Sequence, residues 1–248
     1  MANWNDPQPT KTGFGASPRM NGEVIGSAGT LDQGLRRHML SIYNYMSSGV
    51  LLSGIVALLF ASSGMAAQVL GTPLWWVIAL APLGFVFGMS MGANRMQTAT
   101  LQALFWGFCA VMGLSLSTIF LRFTGASIAG TFFATAGAFA GLSLVGYTTK
   151  KNLSAMGSFM TMGLIGIIIA MVINIFLKSS GLAMAISMLG VLIFAGLTAY
   201  DTQRLKNQYY EIQGTEFAGK AVVLGALTLY LDFINMFQFL LSFLGNRD

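Results

Sequence analysis

The chain has 248 residues, 55% of them apolar, 12% aromatic and only 8% charged, with a mean hydropathy of +0.69 and a formal net charge of +5. A soluble domain carries roughly 25% charged residues, so this composition excludes a water-hydrated globular fold and selects an all-α, polytopic membrane protein in which charge is confined to loops and wet sites. The lone Cys109 excludes an intramolecular disulfide or a multi-cysteine metal site, the lone His38 leaves little material for a histidine zinc site or Ser/His/Asp chemistry, and basic residues placed singly or in pairs argue against nucleic acid.

Met1 to about Thr30 contains Pro7, Pro9 and Pro18 with many small polar residues and no apolar period, the pattern of a disordered cytoplasmic tail. It lacks the basic start, apolar core and cleavage site of a secretory signal, so the first membrane helix is expected to remain as an uncleaved anchor. Thr30-Leu31-Asp32-Gln33 has capping-box spacing and predicts a helix start near Leu31, opening a transmembrane domain over 31–248.

Seven apolar segments then approach the roughly 20 residues that a bilayer crossing requires. They lie at about Ser41–Ser62, Leu74–Gly92, Leu101–Leu121, Ile128–Tyr147, Ala155–Leu177, Leu182–Tyr200 and Ala221–Leu244. Pro82 predicts a kink in the second. Gly84, Gly88 and Gly92 on the second segment, and Gly137 and Gly141 on the fourth, form GxxxG ridges expected to serve packing within the bundle, with a homodimer face as the lesser option. The connections are short, except a long polar one expected at about Asp201 to Lys220. With the N-terminus inside, Lys11, Arg19, Arg36, Arg37, Arg95, Lys150, Lys151, Arg204, Lys206 and Lys220 are cytoplasmic, and only Arg122, Lys178 and Arg247 lie outside. That asymmetry orients the chain, and whether the seventh segment spans or turns back decides the side of the C-terminus.

Two acidic residues stand in or against apolar helices. Asp232 lies midway along the last segment, where an aspartate costs about 2.5–3.5 kcal/mol on insertion scales. Thr228 and Asn235 share its helical face, so this helix presents a polar stripe expected to face the bundle interior. Asp201 ends the sixth segment; if that helix runs on to about Asn207, the residue sits one to two turns inside and the two carboxylates can meet. Such a pair shares a proton and titrates as a unit, giving a pH-sensitive latch and hard oxygen ligands that alone hold Ca²⁺ weakly. The plainer readings are a loop-edge Asp201 paired with Arg204, and an Asp232 that is hydrogen-bonded glue between helices. His38 reads as a juxtamembrane residue; Cys109 and the methionines read as packing. No cofactor is implied, and Lys220, at a helix edge, is a poor retinal lysine.

Tyr200-Asp201 followed by Asp232 on the next helix is similar to the aspartate pair of intramembrane aspartyl proteases. That group carries Gly-x-Gly-Asp on its seventh helix, whereas Leu229-Tyr230-Leu231 precedes Asp232 here, so the backbone unwinding that glycines permit is missing and an enzyme is not expected.

The run Leu227-Thr228-Leu229-Tyr230-Leu231-Asp232-Phe233-Ile234-Asn235-Met236-Phe237, preceded by Tyr200-Asp201-Thr202-Gln203-Arg204-Leu205-Lys206, resembles the Bax inhibitor-1 family, called TMBIM in animals and the YccA group in bacteria. Arg36 to Met46 and Gly113-Leu114-Ser115-Leu116 extend the resemblance over about 35–244. It implies a central seventh helix surrounded by the other six and a pH-sensitive Ca²⁺ leak governed by an aspartate pair mapping to Asp201 and Asp232. It also implies an arginine at the cytoplasmic end of the second helix that bonds the sixth-helix aspartate when closed; Arg95 matches by position. Some relatives carry an acidic residue within the second helix, where this chain has Gly84 nearest. The expected partners are the bilayer and Ca²⁺ or protons. The alternative to a leak is a non-conducting regulator of a membrane protease or another membrane protein. A bacterial inner membrane fits the lack of an organellar signal.

Overall fold

A computed structural model describes the backbone of residues 20–246 and the side chains of 33–246. Its elements are α1 (Met20–Ser62), the short α2 (Met65–Val69), α3 (Pro73–Gly92), α4 (Thr98–Leu116) continued by a 3₁₀ turn (Ser117–Leu121), α5 (Gly125–Thr148), α6 (Ser154–Leu177), α7 (Ser180–Ile212) and α8 (Phe217–Leu244). Seven are long and apolar enough to cross a membrane, and the chain is an all-helical, multi-pass membrane protein. Met1–Arg37 and His38–Asp248 form separate units, and all packing below belongs to the second.

Local chemistry sets the helix ends. Pro73, which has no backbone donor to lose, opens α3, and Pro82 sits buried inside it. The Thr124 and Ser179 hydroxyls accept from the Ser127 and Leu182 amides at the starts of α5 and α7. Two boundaries differ from the sequence expectation. α1 begins at Met20 rather than near Leu31: no proline intervenes between Met20 and Thr30, so the backbone keeps every helical donor. The first nineteen residues of the expected tail lie outside the described residues. α7 does not stop at Tyr200 but continues to Ile212, because nothing between Asp201 and Ile212 breaks a helix. The turn comes at Gly214, whose φ of 78° suits glycine. The expected long connection is thus mostly helix.

α8 is the hub. It packs against α7, α5, α4 and α3, and 56% of its most apolar window is buried, against 6% for α6, which rests on α7 at the periphery. Inter-helix bonds sort the connections onto two sides. Asn246 bonds Thr124 and Ser127, placing the C-terminal end beside the α4–α5 connection. Lys220 at the start of α8 reaches the Asn94 carbonyl in the α3–α4 connection, while Gln203 and Lys206 near the end of α7 bond Lys151, Leu153 and Tyr147 around the α5–α6 connection. α8 therefore crosses completely and does not turn back.

Candidate functional site: a buried carboxyl pair below a polar cavity

Four contacts set α7 in place. Gly146 on α5 lies against the backbone of Ala199, and Gly157 on α6 lies under the ring of Tyr200; a β-carbon at either would collide with α7. Gln203 then pins the α5–α6 connection from both ends of its amide, donating to the Lys151 carbonyl at 2.8 Å and accepting from the Leu153 amide at 2.8 Å. Thr202 bonds Ser143 of α5 at 3.2 Å. Asp201, between Tyr200 and Thr202, turns toward α8.

The rotation of α8 is fixed from behind. Tyr230, fully buried, shares a 2.6 Å hydrogen bond with Ser53 of α1, whose hydroxyl also lies 2.7 Å from the Cys109 carbonyl of α4. The Tyr230 ring packs edge-on to Phe105 and Phe108. Two residues along a helix is about 200° of rotation, so with Tyr230 facing α1 and α4, Asp232 faces α7.

Asp201 and Asp232 are 7% and 4% exposed, and their carboxyl groups lie within hydrogen-bonding reach of each other. An ionised carboxylate has no donor, so a bond between two carboxyl groups requires at least one proton on the pair. The Asp232 Oδ2 has no hydrogen-bond partner within the protein. Asp201 Oδ1 lies 3.1 Å from Arg204 Nη2 one turn on, close enough for ion pairing but without a well-aligned hydrogen bond. The Arg204 guanidinium is half-exposed and stands 5.8 Å over the Tyr200 ring. That cation faces Asp201, where it favours the ionised form of the carboxyl group it stands beside.

A cavity of about 480 Å³ opens above the pair, on the side of the α7–α8 connection, between the start of α6, α7 and α8. Arg204, Gln203, Asn207, Glu211 and Thr228 are among its walls. Thr228 is four residues, about 6 Å of helix, from Asp232.

The other expected residues fall as follows. Thr228 lines the cavity and Asn235 is half-buried, each bonded to a carbonyl of its own helix. Arg95 is exposed in the α3–α4 connection and pairs with neither aspartate. That connection is tied to α8 through Lys220, twelve residues or about 18 Å of helix from Asp232. Gly84, Gly88, Gly137 and Gly141 are exposed on outer helix faces, where an added β-carbon would meet nothing within 4 Å. Gly92 is half-buried and faces Met96 of its own connection. Ridge spacing shows which glycines share a face but not which way the face points, and the close approaches fall to Gly146 and Gly157. Among the described residues no group of three or more His, Cys, Asp or Glu forms.

A bundle of seven apolar helices long enough to cross a bilayer, whose most buried helix sets Asp232 against Asp201 of its neighbour, is the architecture of a multi-pass membrane protein. The chain belongs to the family described as inhibitor of apoptosis-promoting Bax1, whose profile it matches over residues 35–248. It is 44% identical over 218 residues to the inner membrane protein YbhL of Escherichia coli K12, covering 86% of this chain and 93% of that one. It is also similar to RP147 of Rickettsia prowazekii (47% over 219 residues; 88% and 93% covered) and to a Caulobacter vibrioides protein (49% over 234 residues; 88% and 92%).

Proposed function

We propose that this chain is a pH-governed cation leak of the bacterial inner membrane, with Ca²⁺ as the cargo, in which Asp201 and Asp232 gate passage and Arg204 is the closing cation. The observation that carries the reading is the closeness of two buried carboxyl groups on consecutive membrane helices, one helical turn from a polar cavity. Two carboxylates fall far short of the six to eight oxygens that hold Ca²⁺ firmly, which suits passage rather than storage. YbhL, an inner membrane protein, supports the location.

The sign of the pH response follows from charge. Acidification protonates the remaining carboxylate, removes the partner of Arg204 and loosens the tie between the mouth of the cavity and the pair, so the open population rises. Raising the pH restores the anion and with it the closed arrangement. α8 stays helical through Leu229 to Asp232, leaving no unwound backbone to receive a peptide substrate, so the carboxyl pair is read as a gate rather than a protease centre.

A non-conducting regulator of another membrane protein is the second reading, favoured by the small donor set around the pair. Ca²⁺ flux into liposomes holding only the purified protein separates the two. The leak reading expects flux that grows on acidification and loses its pH response in Asp232→Asn; flux no greater than in protein-free liposomes at every pH selects the regulator.

A further inference from the structure

On the side of the pair away from the cavity, the interior of the bundle is lined with aromatic rings. Phe233, the residue after Asp232, packs edge-on to Phe139 of α5 at 5.6 Å and to Phe132 at 5.5 Å; Phe132 meets Phe237 at 6.2 Å. Phe237 joins Phe123 and Leu241 in a cluster that reaches the α4–α5 connection, where Thr124 and Ser127 bond Asn246. Phe139, Phe233 and Phe237 are all buried. The hydroxyls of Thr135, Thr198 and Ser187 bond carbonyls of their own helices, so they offer no polar thread through this layer. Neither α5, nor α7 before Asp201, nor α8 after Asp232 contains a charged residue. Toward the α7–α8 connection the contrast is complete: Arg204, Glu211 and Thr228 line the cavity that ends one turn from Asp232.

We infer that the carboxyl pair lies one helical turn beneath a one-sided well, exchanging protons and cations through it with the α7–α8 side alone, and that the Phe132, Phe139, Phe233 and Phe237 layer seals the pair from the opposite side as a dewetted barrier. The inference rests on the leak reading only for the name of the gate; the sidedness stands on geometry. It separates two elements that one-gate accounts merge. Arg204 guards the mouth, and the aromatic layer holds the far exit.

Thiol accessibility tests this without any flux. In a Cys109→Ala background, Thr228→Cys places a thiol in the cavity wall and Thr135→Cys places one within the layer; Lys150→Cys and Arg122→Cys mark the two faces. A membrane-impermeant methanethiosulfonate is applied to sealed vesicles of each orientation. The expected result is that Thr228→Cys reacts from the Lys150 side only and Thr135→Cys from neither side. Adding Phe237→Ala raises labelling of Thr135→Cys from the Arg122 side on the order of tenfold, as a wetted gap replaces the ring, while Phe237→Leu does not. Labelling of Thr228→Cys from the Arg122 side, labelling of Thr135→Cys in the intact layer, or no response to Phe237→Ala in protein that elutes as a single folded species would each overturn the inference. If labelling is one-sided but the protein carries no Ca²⁺, the leak reading fails and the well remains.

Discussion

At the residue scale, charge buried in apolar helix is the signal that was readable in advance. Asp201 and Asp232 stand out because an aspartate there is costly unless something compensates it, and the compensation is each other plus Arg204. The separation of Arg95 from the pair in this structure has an equally physical cause. Whether an arginine reaches a site depends on where its connection packs, and the α3–α4 connection packs about 18 Å of helix away from Asp232. Accordingly, Arg95→Ala should leave both basal flux and its pH profile at wild-type values, whereas Arg204→Gln should raise flux at neutral pH and flatten the profile, with Arg204→Lys retaining part of the closure. Flux assays at several pH values on the three variants check this. Tyr230 and Ser53 were illegible, since nothing local marks two residues 177 apart as partners. Tyr230→Phe keeps the ring and strands the Ser53 contact, so it should destabilise the protein by about 1–2 kcal/mol. Adding Ser53→Ala should cost little more, a non-additivity that thermal unfolding in detergent can measure.

At the element scale, hydropathy located all seven crossings but misjudged where α7 ends. An apolar segment stops where polar residues start, whereas a helix stops where its backbone is interrupted, and Asp201 to Ile212 is polar yet contains no glycine or proline. The continuation of α7 past Tyr200 is the case in which the sequence reading lets Asp201 sit inside a helix and meet Asp232. Glycine ridges misled for a related reason: periodicity fixes a face, and only tertiary packing decides what it touches. The contrast is testable. Gly157→Leu, pressed into the Tyr200 ring, and Gly146→Leu, pressed into the Ala199 backbone, should lose about 1–3 kcal/mol of stability. Gly84→Leu and Gly137→Leu, which face open space, should stay within about 0.5 kcal/mol of wild type in the same melting assay.

At the scale of the whole molecule, the bundle is organised around α8. Its back is fixed by Tyr230 and its front offers Asp232 to α7, while its outer half is packed in phenylalanine. The two-sided sorting of connections agrees with the lysine and arginine asymmetry, so reporter fusions after Lys150 and after Arg204 should read cytoplasmic and a C-terminal fusion should read external. Opposite readings at all three would place the α7–α8 side, and the cavity with it, outside without moving the pair. The central claim is that Asp201 and Asp232 hold one proton between them. Infrared spectroscopy of the purified protein in lipid tests it most directly, through the carbonyl stretch of a protonated carboxyl group. The account predicts one such carboxylic acid per molecule at neutral pH, lost in Asp232→Asn, where Asp201 remains as the carboxylate beside Arg204. A wild-type spectrum with no carboxylic acid at neutral pH, or one whose acid band survives Asp232→Asn unchanged, would contradict it.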